Sequence, residues 1–393
     1  MTGWVSTDLL DRVRVRLVDA DRDPTPALIA EALRAEAGGV LGDADLLRAL
    51  HLLDTEFRGA GVLDAVLREP GVTDVLVTGP DDVWVDRGQG LRRAGVGFGD
   101  EAAVRRLAQR LALSAGRRLD DAQPWVDGRL PGIDPGSFGV RLHAVLAPVA
   151  QGGTCLSLRV LRPATQGLAA LAATGAFADG AEDLLRRIVS GRLAFLVVGG
   201  TGTGKTTLLA ALLGEVDAAE RIICVEDAAE LAPSHPHVVR LVARPANVEG
   251  VGQVGVRDLV RQALRMRPDR IVVGEVRGAE VVDLLTALNT GHDGGAGTVH
   301  ANSPDEVPAR LEALAALGGM DRAALHSQFA AAVQVVLHTA RTPSGQRVLS
   351  SIGVLERDDR GLCTVVDAWS RTRARGPGLD ALTAILRRRE GSA

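Results

Sequence analysis

The chain has 393 residues, is 46% hydrophobic and 24% charged, and carries a formal net charge of -4. That balance belongs to a globular protein with a sizeable core, long enough for two or three domains. It offers no global electrostatic case for nucleic-acid binding. No uninterrupted apolar run approaches the ~20 residues of a membrane helix, and Cys155, Cys224 and Cys363 are too scattered for a disulfide framework or a zinc site.

The opening MTGWVSTDLLDRVRVRLVD has early charges and no apolar core, which reads against a secretory leader. Residues 1–68 are expected to be helical, because Leu46, Leu47, Leu50, Leu53 and Phe57 recur at helical spacing. REPGV (68–72) punctuates that extension. From 69 to 163 the pattern predicts a smaller mixed α/β domain. VTDVLVTGPDDVWVDRGQGL reads as two strands around a Gly-Pro-Asp-Asp turn, DEAAVRRLAQRLALSAGRRL as an amphipathic helix, and FGVRLHAVLAP and TCLSLRVLRP as further strands. The Gly/Ala-rich stretch 164–180 reads as a linker.

Residues 181–393 form the last predicted domain. Helix and strand patterns alternate to about residue 300, which argues a parallel α/β sheet. LAFLVV, RIICVE, HVVRLV, RIVVGE and GAGTVH are its expected strands. LDALTAILRRRE (379–390) reads as a basic amphipathic helix, a surface helix before a membrane or partner contact.

GGTGTGKT (199–206) fits G-x-x-x-x-G-K-[ST], between an apolar strand and a helical pattern. The candidate phosphate cradle is Gly199, Gly200, Thr201, Gly202, Thr203, Gly204, Lys205, Thr206 and Thr207. Backbone N–H groups and the helix N-terminus would face the phosphate oxygens. Thr206 would ligate Mg²⁺. Lys205 is the only lysine among 45 basic residues. A compact ammonium on a flexible stem fits between backbone loops where a planar guanidinium does not, so a chain that otherwise writes Arg keeps Lys here.

Acids follow at strand ends. Glu226 and Asp227 close RIICVE and are candidates for the Mg²⁺ shell, through bound water, with Glu230 soon after. Glu275 closes RIVVGE and is the candidate for orienting water. Gly274 stands where a strand-end Asp is common in P-loop proteins. NTGHDGGAGTVHANS (289–303) carries His292 and His300, without a third ligand for zinc. A histidine at a strand end can bond a γ-phosphate or relay its presence.

GGTGTGKTT, VEDAAEL, HVVRL, RDLVRQALRMRPDRIVVGEVRGAE and NTGHDGGAGTVHANSPDEVPARLE, in that order, resemble the type II/type IV secretion ATPase superfamily. More narrowly they resemble its TadA/CpaF branch, which powers Flp (tight-adherence) pilus assembly. VTDVLVTGPDDVWVDR, GRRLDDAQPWVDGRLP and GVRLHAVLAP extend the likeness, which spans roughly 70–355; PGIDPGSFGV (131–140) departs from the shorter turn expected. The resemblance implies a RecA-like P-loop ATPase domain behind a smaller α/β domain. It also implies ATP and Mg²⁺ as cofactors, a ring homo-hexamer, and inner-membrane platform proteins as partners of a cytoplasmic, peripherally associated motor. Arginines of the smaller domain would reach the phosphates, and Arg141 and Arg159 occupy the matching strands. Arg240 and Arg277 are weaker candidates for sensing nucleotide.

Two other classes compete. A DNA-directed translocase of conjugation or uptake has the basic tail in its favour, against few aromatics and no long basic run. A nucleotide switch that binds without turnover is the third. A GTPase is disfavoured because Asn-Lys-x-Asp needs a second lysine, and an ABC subunit because no LSGGQ-like signature occurs.

Overall fold

The computed structural model describes residues 25–37, 42–57, 59–88, 90–130, 139–246 and 250–391, with a few positions between 9 and 17. The unusual turn at 131–138 lies outside the described residues. The chain divides into two compact units, 1–161 and 162–393.

In the first unit, α1 (Pro26–Glu36) and α2 (Asp43–Phe57) carry their own small core. Thr25 caps α1 by accepting from the Leu28 N–H at 3.3 Å, and Pro26 sits at the first helical position, where a missing donor costs nothing. Ile29 and Leu33 of α1 pack with Ala49 and Leu53 of α2. Leu47, counted into the apolar stripe from its spacing, is instead 66% exposed, because the buried stripe runs through Ala49 and Leu53.

After α3 (Asp64–Arg68) come β1 (Asp74–Gly79), β2 (Asp82–Asp86), β3 (Leu91–Arg93), α4 (Glu101–Ser114), β4 (Trp125–Leu130), β5 (Gly139–Val145) and β6 (Cys155–Leu161). The strands form one antiparallel sheet in the order β3-β2-β1-β6-β5-β4. Alternation buries one face. Val75, Val77, Leu142, Ala144, Leu156 and Leu158 pack with Val104, Leu107 and Leu111 of α4. The opposite face is polar and carries Arg129, Arg141 and Arg159 in one cross-strand row.

The second unit begins with α5 (Leu168–Ala173), which lies inside the stretch expected to be a bare linker. Its Leu168 and Leu171 join the same hydrophobic cluster as the next elements, so this segment is part of the fold. Next are α6 (Ala181–Ser190), β7 (Phe195–Val198), α7 (Lys205–Leu213), β8 (Ile222–Glu226), β9 (Val238–Val242), α8 (Val256–Ala263), β10 (Arg270–Val276), α9 (Glu280–Leu288) and β11 (Ala296–Val299). Then follow α10 (Val307–Leu317), α11 (Arg322–Ala332), β12 (Val335–Arg341), β13 (Arg347–Arg357), β14 (Cys363–Ser370) and α12 (Leu379–Glu390).

All five expected strands are present and run parallel. The sheet is larger than expected, with eight strands in the order β14-β13-β12-β7-β11-β10-β8-β9. β12 lies parallel to β7, and β13 and β14 extend the sheet antiparallel. Both faces are covered. Phe195 and Val197 of β7 face α5, α6, α7 and α12, while Leu196 and Val198 face α8 to α11. Burial on both faces is what makes the parallel strands near-continuous apolar runs.

The basic tail helix α12 is docked on this unit. Leu382 and Leu386 are fully buried in the core, Arg389 reaches Asp293 at 2.8 Å, and Glu390 accepts from Arg187 at 2.9 Å. Among the described residues no helix is long and apolar enough to cross a membrane.

Candidate functional site

The strand order fixes the site. Parallel strands end at one edge of the sheet, and ligands in open α/β sheets bind outside those carboxyl ends. Reading across β7, β11, β10 and β8, that edge presents the 199–204 loop, then His300, then Glu275, then Glu226. His292 precedes β11 and so sits towards the opposite edge, where its Nδ1 lies 3.0 Å from the Ala287 carbonyl. The structure does not bring it to the loop, because a residue before a strand and one after it are separated by the strand's length.

The loop is shaped by close approach. Gly199 has φ +151, and a Cβ there would lie 2.3 Å from the Thr339 carbonyl oxygen. Gly204, with φ +97, stands at the N-cap of α7 in the left-handed region that only glycine occupies readily. Lys205 is 8% exposed, and its Nζ donates to the Gly199 and Gly200 carbonyls at 3.0 and 2.9 Å. Burial lowers its pKa, against the opposing charge of Glu275. On β12, Thr339 contacts Thr203, and Arg341 Nε donates to the Gly202 carbonyl at 3.2 Å. These braces come from strands that the sequence pattern did not reveal.

Glu275 faces the loop between Arg277 and His300. Its Oε2 is 2.5 Å from Arg277 Nη2, and its Oε1 is 2.7 Å from His300 Nε2 without hydrogen-bond alignment. That Oε1 is buried and has no hydrogen-bond partner. Burial first, and then the Lys205 charge, lower the pKa of His300, which keeps it neutral as an acceptor or donor at neutral pH.

Glu226 is 2% exposed, and its Oε1 accepts from the Glu230 and Leu231 N–H groups, both at 2.9 Å. Its Oε2 is buried without a partner, and burial pushes the carboxyl pKa up to about 7 despite those two donors. The side chain fills the space above Gly274, where a Cβ would stand 2.8 Å from Glu226 Cγ. The volume that an acid at 274 would occupy is therefore filled by a carboxylate from the neighbouring strand. Asp227 is exposed. Thr206 Oγ1 donates instead to Glu230 Oε2 at 3.3 Å. Glu230 is the residue that sequence reasoning left without a role. What brings it in is the turn closed by Glu226 Oε1, which the sequence does not announce.

Arg141 and Arg159 are directly opposed on β5 and β6. Each is already paired, Arg141 with Asp127 at 2.6 Å and Arg159 with Asp74 at 2.8 Å. Arg240 lies on β9 beside the Glu226 strand.

The residues present fit a magnesium nucleotide. A buried ammonium donates to the carbonyls of its own loop, a hydroxyl and a carboxylate meet at the start of α7, and the buried Glu226 Oε2 has no hydrogen-bond partner. Among the described residues no cluster of three His, Cys, Asp or Glu could hold a metal alone. The Thr206 hydroxyl and the Glu230 carboxylate that meet at the start of α7 are donors of the kind Mg²⁺ takes, since it keeps waters and phosphate oxygens and needs one or two protein ligands.

A strand–glycine loop–helix with its lysine, at the carboxyl edge of a parallel sheet, defines a P-loop nucleotide-binding unit. Residues 56–366 match the family of the Type II/IV secretion system protein, and the chain belongs to that family. It is 69% identical over 350 residues to the "Putative conjugal transfer protein Rv3659c" of Mycobacterium tuberculosis, covering 89% of this chain and 99% of that one. It is 30% identical over 298 residues to the "Probable conjugal transfer protein TrbB" of Sinorhizobium fredii, covering 74% of this chain and 86% of that one. The Legionella pneumophila ATPase DotB shares the fold, with a TM-score of 0.52 at 19% identity over 79% of this chain and 81% of that one.

Proposed function

We propose that this chain is a Mg-ATP-hydrolysing motor that works as a homo-hexamer at the cytoplasmic face of the inner membrane. Within its family we place it in the TadA/CpaF branch, driving Flp/type IV pilus assembly or type II/IV secretion through membrane platform proteins. The observation that carries the ATPase reading is the row of Lys205, His300, Glu275 and Glu226 along one sheet edge.

In this reading Lys205 turns from the carbonyls of Gly199 and Gly200 to the β/γ-phosphates, and the loop N–H groups surround them. Thr206, Glu230, Glu226 and Asp227 form the Mg²⁺ shell, partly through water. Bound Mg²⁺ supplies charge neutralisation across the phosphate oxygens. Glu275 orients the attacking water and accepts its proton, steadied by Arg277. His300 reports on the γ-phosphate. Arg141 and Arg159 exchange Asp127 and Asp74 for phosphate oxygens, a task that suits a permanent, bidentate charge.

The test is ATP hydrolysis per chain as a function of protein concentration, with Lys205→Ala as the blank. We expect a specific rate that rises steeply and saturates, because arginines of one subunit complete the site of the next. A flat rate from a protein that is monomeric on sizing would remove Arg141 and Arg159 from the site.

The names of the two relatives favour a second reading, a DNA-translocating ATPase of conjugation. The net charge of -4 and the 3% aromatic content weigh against it. Salt-dependent binding of single-stranded DNA that stimulates hydrolysis would select it.

A further inference from the structure

β10 carries one residue more than β11 where the two lie side by side. Val273 is in register with Gly297 and Val276 with Val299, so Gly274 and Glu275 together stand opposite Thr298. This is a β-bulge, and a bulge changes which face the next side chains take. The packing shows the result. Ile271 and Val273 lie in the core beneath α8 to α11, and strict alternation would send Glu275 there as well and Val276 to the other face. Val276 lies with Ile271 and Val273 instead. Glu275 is thereby released from that core to the face of Glu226 and the glycine loop, where it meets His300 and its charge acts on Lys205.

A buried side chain holds the bulge. Thr298 is 1% exposed, and its Oγ1 donates to the Gly274 carbonyl at 2.6 Å. That carbonyl belongs to the planar peptide leading into Glu275, so its orientation sets the direction in which the Glu275 side chain leaves the backbone. The contacts of the carboxylate itself come from an exposed side chain, Arg277, and a half-buried one, His300. A methyl group in place of the hydroxyl needs about 3.3–3.6 Å from a carbonyl oxygen. It could not leave the peptide where it is.

We propose that Thr298 is a positioning residue for ATP hydrolysis, its hydroxyl fixing the bulge that aims Glu275 at the attacking water. This role rests on the reading of Glu275 as the group that activates water. Thr298 acts through the backbone, and no proton passes through it.

The experiment measures ATP hydrolysis by the full chain and titrates it with Mg-AMP-PNP, a non-hydrolysable triphosphate. Thr298→Val, Thr298→Ser, Glu275→Gln and the double variant Thr298→Val/Glu275→Gln are compared with the wild type. Slow variants are read by single turnovers of radiolabelled ATP with protein in excess. Thr298→Val is expected to lower kcat by about ten- to a hundredfold, the effect of a misplaced catalytic group, with AMP-PNP affinity within about twofold of the wild type. Thr298→Ser should restore kcat to within about threefold, because it keeps the hydroxyl. The double variant should be no more than about twofold slower than Glu275→Gln, since residues that act as one unit are not additive. Factors that multiply in the double variant would overturn the proposal, because Thr298 would then act independently of Glu275. Thr298→Ser as slow as Thr298→Val would overturn it too, as would a loss of AMP-PNP affinity equal to the loss of kcat. Thr298→Val at the wild-type rate beside a slow Glu275→Gln removes the role of Thr298 alone. Glu275→Gln at the wild-type rate removes the reading of Glu275 and this role together. If Thr298→Val lacks a cooperative thermal transition, Thr298→Ala, which removes the hydroxyl without adding a methyl, takes its place throughout.

Discussion

Glu275→Gln is expected to lower kcat for ATP hydrolysis by about 10²–10⁴-fold while leaving Mg-AMP-PNP affinity within about threefold. The substitution is isosteric, and an amide oxygen can still accept from Arg277, which approaches Glu275 to 2.5 Å. What is lost is the negative charge and the basic oxygen. Glu275 Oε1 is buried and out of hydrogen-bond alignment with His300, 2.7 Å away, which leaves a lone pair for the proton of a water that a bound substrate would order. The loop, Lys205, Thr206 and Glu230 are untouched, so ground-state binding should survive. Steady-state kinetics and an equilibrium titration separate the two effects. Hydrolysis at the normal rate would end the assignment of Glu275 as the group that activates water. A parallel loss of binding would show a structural role instead.

The largest expected effect on stability lies at the other edge of the same sheet. Glu220→Ala should destabilise the second unit by about 3–5 kcal/mol. Arg270 is 1% exposed and donates to Glu220 through Nε at 2.8 Å and Nη2 at 3.0 Å. The same guanidinium also serves the Val189 and Gly294 carbonyls, at 2.9 and 3.3 Å. Removing Glu220 leaves a buried cation with neutral partners only. At about 2–4 °C per kcal/mol for a unit of this size, the midpoint of thermal unfolding should fall by roughly 6–20 °C. Arg187→Ala is the comparison, because the Arg187–Glu390 pair is 31% and 43% exposed and should contribute no more than about 1 kcal/mol. Arg270→Met should be milder than Glu220→Ala, since the carboxylate it leaves keeps Arg192 at 3.2 Å. Equal effects from Glu220→Ala and Arg187→Ala would mean the buried guanidinium is solvated after all.

The parallel part of the second unit was legible because strands buried on both faces are written as short apolar runs, as in FLVV and IICVE. The P-loop was legible because its glycines and lysine are fixed by backbone geometry. β12 to β14 were not. Their burial follows no clean alternation, since β13 buries Ile352, Gly353 and Val354 in succession, and antiparallel strands packed on both faces mimic no template. Thr339 was missed with them. Glu226 and Glu275 were found at strand ends, but Glu226 was given a ligand's role without its second one. Its Oε1 closes the turn that delivers Glu230, a bond between a side chain and backbone amides that no residue spacing encodes. His292 was drawn to the site by its nearness in sequence to His300, and strand direction separates them.

Gly274 and the side chain of Glu226 occupy one volume from two strands, with a Cβ at 274 falling 2.8 Å from Glu226 Cγ and 3.2 Å from Oε1. In evolutionary terms the pair is an epistatic lock. A carboxylate can arise at 274 only in a lineage that has first shortened 226, and that intermediate would have no acid at either position and a turn with two unbonded amides. The order of substitutions, rather than the final chemistry, therefore separates this arrangement from one with the acid at 274. Among diverged relatives a glycine at 274 should travel with a long acid at 226.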